Sequence, residues 1–516
     1  MKKLFNFLLI LTFALGLAPH AVSAAPARQG VACEEDVVVQ ADDWLSKLAD
    51  KFYGDVLAYP AIVEATNQAF AADDSYVRID NADLIEPGWK LCVPNTEDAQ
   101  AMLQGRGSAG EVASGEPIVI GASLPLTGSF SVNGQKHKEG YELCVDLLNQ
   151  AGGVLGRPLQ IVVSDNRSDT ETAISQHERL INVDNADFLF GTFSSRLTFP
   201  VSAITEQNNM LYPIPAGGAL RIYERGFKGL FYFQPAPAEF VGDSPIRLLQ
   251  DRAGGDLPAT AAVVHADDFF ANGIAAGLRG EEVLDPGTGE VVVDLAPGSL
   301  AEAGIELVFS ETWPEEGFAD WITLANSIKG SNAELLIGLT ASPEETVQLT
   351  RALQTVDYQP KAVYLSQGTQ LEYLEGVGDA ANGVMIHAAW HPLAPWQGVL
   401  AGQPFTNQDF VAAYEAKYGV PPDEDVAIPF ALCQGMVQGI EGAGTTDNTA
   451  VQEWLASRTE ADPVQTILGP FHWDERGLAI DKPYLMTQWQ DGELRFIYPL
   501  DEFEGVSDFI YPKPEW

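Results

Sequence analysis

Gly121-Ala-Ser-Leu-Pro-Leu-Thr-Gly-Ser-Phe-Ser-Val-Asn-Gly134 and Phe188-Leu-Phe-Gly-Thr-Phe-Ser-Ser195 decide the reading of this chain. Each opens as a short apolar strand, enters a turn of Gly, Pro, Ser and Thr, and continues into a helix-like stretch. In an open parallel sheet, ligands sit beyond the carboxyl ends of the strands, where backbone N–H groups and hydroxyls converge. Hydroxyl-rich turns with no flanking acid or base suit holding a small polar or anionic group, not attacking one. They point to binding.

Outward from these two stretches, strands and helices alternate. The pattern gives strands at 118–122, 159–164, 188–190 and 210–214, with helices at 137–150, 170–183 and 199–208 between and after them. Further strands are expected at 261–265, 305–309, 335–338, 362–365 and 383–388, and helices at 272–279, 318–330, 343–356, 407–418 and 428–442. Repeated strand-then-helix order means α/β architecture, with a parallel sheet covered on both faces. About 400 residues exceed one such sheet. The pattern divides near Phe231–Pro237 and again near His387–Pro392, so two doubly wound lobes joined by hinge crossings are expected. Lobe 1 takes about 116–233 and 390–475; lobe 2 takes about 238–386 and the C-terminal part. Gly280–Ser299 reads as a polar insertion.

The chain has 516 residues, of which 46% are hydrophobic, and carries 72 acidic against 29 basic side chains for a net charge of −43. That balance disfavours nucleic acid and anionic membrane surfaces as partners. Met1-Lys2-Lys3, the apolar run Leu4–Leu17 and the small-residue pattern Val22-Ser23-Ala24 read as a secretory signal over 1–24, so export is expected. Four cysteines in an exported chain allow two disulfides in three pairings. Pairing by region gives Cys33–Cys92 and Cys144–Cys433, with two buried free thiols as the alternative for the second pair.

Residues 25–97 form a separate small unit. A strand at Val37–Gln40 leads into a helix from Trp44 to Phe52 capped by Asp42-Asp43, a second helix starts at Tyr59, and Trp89–Pro94 closes as a strand. This βααβ order resembles a LysM module. The matching residues are Asp43-Trp44-Leu45, Leu48-Ala49, Asn67, and Pro87-Gly88-Trp89-Lys90-Leu91 with Pro94; Asp42 replaces the family's usual Gly. The resemblance implies retention on cell-wall glycan. Residues 98–115, rich in Gly, Ser and Ala, read as a flexible linker to the domain at 116–516.

Residues 116 to about 505 resemble the periplasmic binding proteins of the type I fold, in particular the leucine/isoleucine/valine-binding group that delivers ligands to ABC importers. The ordered landmarks are Gly121–Gly128 with Gly134, Leu148-Asn-Gln-Ala-Gly-Gly153, Leu155-Gly-Arg-Pro158, Asp165 with Asp169, Gly191–Ser195, and Asp267–Phe270 with Gly273. The resemblance implies a hinged cleft, a membrane permease as partner and a monomeric binding protein with no cofactor, no metal and no catalysis. Ser194 or Ser195 matches the serine that holds a ligand carboxylate. Pro215-Ala216-Gly217-Gly218 matches the segment completing that clamp, with Gly218 where a Thr is usual. Phe270 matches a Tyr of the second lobe.

The first lobe is then expected to hold the ligand's polar head at Ser129, Ser194, Ser195 and Ala216–Gly218. The second closes through Phe270, Ser342 in the 339–342 loop, and Gln367, while Phe193 and Trp390 supply aromatic walls. No acid is evident at Leu365–Thr369, where the family's ammonium partner is expected. A buried ammonium without a carboxylate is costly, so the reading favours a carboxylate or amide ligand lacking one. A sensor that signals to a membrane partner shares the same fold. An enzyme is disfavoured: His387 and His391 stand four apart beside Pro392 with no zinc-protease Glu, and there is no Gly-x-Ser-x-Gly elbow.

Overall fold

The computed structural model describes residues 33–105, 115–499 and 505–516, apart from positions 42, 56–57, 72, 74, 80–84 and 286–287. The expected signal segment 1–24, Asp42 and 106–114 of the expected linker lie outside the described residues.

The N-terminal unit pairs strand Cys33–Val38 antiparallel with Lys90–Pro94 across helices Leu45–Tyr53 and Tyr59–Phe70. Leu45, Leu48, Ile62, Leu91 and Val93 form its core, and Cys33 is bonded to Cys92. The first strand begins four residues before the expected Val37. Trp44 is the N-cap of the first helix, with no side-chain cap, because Asp43 instead accepts from the Gln40 amide at 2.9 Å and closes the preceding turn. Asn67 pins the following loop: its amide donates to the Ile79 carbonyl at 2.9 Å and accepts from the Ile79 N–H at 2.7 Å. The expected linker opens as a helix, Thr96–Gly105, which buries Ala99 and Met102 against Ala61, Ala65 and Cys92. Glu97 and Asp98 sit in its first turn, where carboxylates favour a helix. The unit also touches the larger domain, since the Tyr59 hydroxyl donates to the Pro404 carbonyl at 2.9 Å.

In lobe 1, strand Ile118–Leu124 lies parallel between Leu159–Asp165 and Phe188–Phe190. The parallel pair Tyr212–Ile214 and Leu230–Tyr232 extends it through a Gly191 N–H bond to the Pro213 carbonyl. Lobe 2 carries seven strands in the order Glu306–Trp313, Thr260–Ala266, Leu335–Leu339, Ala362–Leu365, Val384–Ala388, Leu485–Gln490, Glu493–Tyr498. The first five are parallel, and the last two are an antiparallel hairpin. Its inner strands are unbroken apolar runs, such as Leu335–Leu339, buried at every position, as a sheet covered on both faces requires. The Gly280–Ser299 insertion contains a hairpin of Glu282–Leu284 and Val291–Asp294.

Several helices begin earlier than their apolar periodicity suggests. They run Ser131–Gln150, Ser195–Gln207, Phe269–Arg279 and Glu424–Ala443. The polar ends of the strand-to-helix turns are therefore first helical turns. Gly134 falls inside the first of these helices, where a Cβ would lie 2.1 Å from the Pro125 carbonyl oxygen. Helix Glu424–Ala443 packs along Ser131–Gln150, with Gly140 against Val426 and a disulfide from Cys144 to Cys433. That packing brings the N-terminus of a late helix to the first-lobe side of the cleft.

Candidate functional site

The first-lobe wall is built by the turn that follows strand Phe188–Phe190. Ser194 is the N-cap of helix Ser195–Gln207, its hydroxyl accepting from the Leu197 N–H at 3.4 Å. Its φ of +75° is costly for a non-glycine residue, and such strain persists only where surrounding contacts hold it. Here they do. Ser195 Oγ accepts from the Ala219 N–H at 3.2 Å, and the Thr198 hydroxyl donates to the Ala216 carbonyl at 2.9 Å. Gly217, at φ +150°, fits because a Cβ would lie 2.9 Å from Thr198. The first-turn amides of the helix have no intrahelical partner, and they carry the positive end of its dipole.

The second-lobe wall carries Phe270, in the first turn of helix Phe269–Arg279. The N-cap Asp268 accepts from the Ala271 N–H at 2.7 Å and the Ala341 N–H at 3.2 Å, so one buried carboxylate positions two loops. Burial raises that carboxyl to about 6. Ser366 Oγ donates to the Thr340 carbonyl and accepts from its N–H, both at 2.8 Å. His387 Nδ1 lies 2.8 Å from the Tyr364 hydroxyl, and burial pushes its imidazole down to about 3, so it is neutral.

A third element completes the site. Glu424 and Asp425 form the first turn of helix Glu424–Ala443 and reach the same cavity. Glu424 accepts from the Thr369 hydroxyl and from the Ala389 N–H, each at 2.7 Å. Asp425 Oδ2 accepts from Gln370 at 2.6 Å and Asn133 at 3.0 Å. Burial first, and then the neighbouring Asp425 charge, raise Glu424 to about 8. Burial and the Asp423 charge likewise push Asp425 up. Two carboxyls held near neutrality in a cleft are a place for a cationic group to ionise them. This pair overturns the expectation that the cleft lacks an acid. The acid enters from the lobe 1 side, on a helix N-terminus, not from the 365–369 stretch.

Of the residues expected from the sequence, Phe193, Ser194, Ser195, Ala216, Gly217, Phe270 and Gln367 line one interlobe cavity of about 50 Å³. Tyr232, Gln234, Ala341, Ser366, His387 and Ile428 line it as well. Four expected residues lie elsewhere. Ser129 and Ser342 border a separate recess with Glu315 and Glu316, and the Ser342 hydroxyl caps helix Pro343–Thr355. Gly218 packs behind the clamp, its carbonyl accepting from the Ala238 N–H at 2.8 Å and its Cβ position 2.7 Å from the Tyr232 hydroxyl. Trp390 is buried against Phe410 and donates its indole N–H to Asn407 at 2.7 Å, so it walls a neighbouring groove instead.

The lobes are closed over the cavity. Thr369–Glu424 and Gln370–Asp425 cross between them, as do the ion pairs Lys136–Glu372 at 3.0 Å and Arg196 to Glu315 and Glu316, both at 3.1 Å. Polar donors of the Ser194–Ser195 turn, the Glu424 and Asp425 carboxyls and the Phe193, Phe270 and Ile428 side chains line the same cavity and suit a small ligand with two polar ends. Among the described residues no group of His, Cys, Asp and Glu is arranged to hold a metal ion.

Residues 117–279 and 285–493 match the family described as periplasmic binding protein. The chain is 25% identical over 414 residues to a Leu/Ile/Val-binding protein homolog of Brucella suis, covering 78% of this chain and 96% of the relative. It is 24% identical over 383 residues to an amino acid binding protein of Pseudomonas aeruginosa, covering 72% and 90%. Among solved structures, a leucine-binding protein of Thermotoga maritima superposes with a TM-score of 0.60 at 19% identity, over 74% of this chain and 98% of that one. A solute-binding protein of R. palustris in complex with benzoate gives 0.59 at 16% identity, over 78% and 98%. With the two-lobed fold and its interlobe cavity, the family match leads to one conclusion: this chain belongs to the periplasmic binding proteins.

Proposed function

We propose that this exported protein captures a small amino acid in the interlobe cleft and hands it to an ABC importer. The observation that carries the ligand class is the meeting of two features of opposite chemistry in one cavity. The Ser194–Ser195 helix N-terminus with the Ala216–Gly217 loop accommodates a carboxylate, and Glu424 with Asp425 accommodates an ammonium. Phe193, Phe270 and Ile428 surround an apolar side chain, consistent with relatives named for leucine, isoleucine and valine. Closure shifts an existing open–closed equilibrium only as far as the ligand prefers the closed state, and the closed form docks on the permease. Thermal shift and calorimetry with leucine, isoleucine and valine test this reading. Ser195→Ala combined with Phe270→Ala should abolish measurable binding with little loss of fold stability. Unchanged affinity would remove both residues from the site.

A second reading concerns the N-terminal unit, whose βααβ order and Asn67-pinned loop support a LysM-like module that retains the protein on cell-wall glycan. Co-sedimentation of the full chain with purified peptidoglycan tests it, and a supernatant-only result would leave the unit as a structural attachment to lobe 1.

A further inference from the structure

A groove of about 690 Å³ runs beside the cleft, well within the size range of small-molecule sites and far larger than the interlobe cavity. It shares one residue with that cavity, Glu424. One side comes from lobe 1, where the Tyr414 and Tyr418 rings lie 4.6 Å apart on helix Asn407–Tyr418. The other comes from lobe 2, where Leu371 and Glu375 stand on helix Leu371–Val377. Leu371 and Val420 are each 49% exposed there, an open apolar surface at the groove mouth.

The charges in the groove are one-sided. Its lining cation, Lys136, is already engaged by Asp423 and by Glu372. Glu139, Glu375 and Glu424 also line it, and among the described residues none of them is ion-paired. Glu139 accepts from the Tyr414 hydroxyl at 2.5 Å, so one carboxylate is held against the aromatic wall. The nearby Lys417 is committed to Asp146 at 2.7 Å and already lies over the Tyr418 ring, 5.0 Å from its centroid. Carboxylates outside any ion pair beside an apolar and aromatic surface are the chemistry that recognises an organic cation. For a carboxylate or phosphate ligand the balance is unfavourable, since Lys136 already serves Asp423 and Glu372.

We propose that this groove is a second binding site, for a small organic ammonium compound with an aromatic or apolar body, separate from the interlobe amino-acid site. The ammonium sits toward Glu139 and Glu375, and the body lies between Leu371, Val420 and the tyrosine pair. Such a site needs none of the interlobe clamp residues.

The test uses the full chain without its signal segment and phenethylamine as the probe, with 2-phenylethanol as its neutral counterpart. Titration by calorimetry or ligand-observed NMR should show phenethylamine binding to the wild type and to Phe270→Ala alike. The affinity should fall about tenfold or more in Tyr418→Ala with Glu375→Gln, the loss of one aromatic contact and one charged partner. 2-Phenylethanol should bind at least about tenfold more weakly than the amine. The proposal is overturned if the probe does not bind the wild type at millimolar concentration, if Phe270→Ala abolishes binding, or if the groove variant or the neutral probe binds as tightly as the reference. Circular dichroism of the groove variant shows whether it is folded, and single Glu375→Gln on the solvent-facing helix provides the same readout if it is not.

Discussion

Replacing Glu424 by Gln probes the charge on which the ligand assignment depends. Glu424 titrates near 8, raised by burial and then by the Asp425 charge. It is therefore mostly protonated at neutral pH. The groups facing it are Asp425, Asp423 with its Lys136 partner, the neutral His387, and the donors Thr369 and Ala389. An ammonium placed against the carboxyl favours the ionised form, so binding releases a proton. Release of one proton makes affinity rise by up to about tenfold per pH unit, or about fiftyfold between pH 6 and 8 for a group titrating near 8. Glu424→Gln cannot release that proton. At pH 8 it loses a charged hydrogen bond of about 1.5–3 kcal/mol, which is roughly 10- to 150-fold in affinity. At pH 6 the gap narrows, because the wild type must first give up its proton. Calorimetry with leucine in buffers of different ionisation enthalpy counts the protons directly. Wild-type affinity that is flat from pH 6 to 8, or a variant that keeps the wild-type slope, would refute the reasoning.

Gly134→Ala would place a methyl 2.1 Å from the Pro125 carbonyl, so chemical denaturation should show a loss of about 1–3 kcal/mol despite the better helix propensity of Ala. Cys144→Ala with Cys433→Ala removes the covalent tie between the two long lobe 1 helices, and urea unfolding should report a loss of about 2–5 kcal/mol. An unchanged midpoint would mean that the helix packing alone holds the acid pair in place. His387 sits with its imidazole pushed by burial to about 3. Its ring resonances should therefore not titrate in NMR between about pH 5 and 8, whereas a midpoint near the free value of about 6.5 would place it in contact with solvent.

The two lobes, their parallel strands and the Ser194–Ser195 turn that lines the cavity were legible because each rests on local signals. Apolar runs mark the strands, and Gly-x-x-Ser-Ser marks the turn. The acid pair was not read, although a signal for its helix was present. Asp423 after two prolines, followed by Glu424 and Asp425, is an N-cap with an acidic first turn. The apolar periodicity begins only at Ile428 and drew the helix start past them. No local pattern places that turn in the cleft, since its position follows from packing against a helix nearly 300 residues earlier in the chain and a disulfide with a sequence separation of 289. Trp390 misled for a related reason. A large aromatic near a hinge suits a ligand wall, but its indole N–H finds Asn407, a partner 17 residues away that sequence spacing does not show. Ser342 serves its own helix as a cap, a role a serine before a proline commonly takes.

The central claim is that the cleft recognises both ends of an amino acid. Calorimetry comparing leucine with 4-methylpentanoate, the same skeleton without the ammonium, tests it most directly. The account expects leucine to bind at least about a hundredfold more tightly, because the analogue leaves Glu424 and Asp425 without their partner. Equal or tighter binding of 4-methylpentanoate would contradict it.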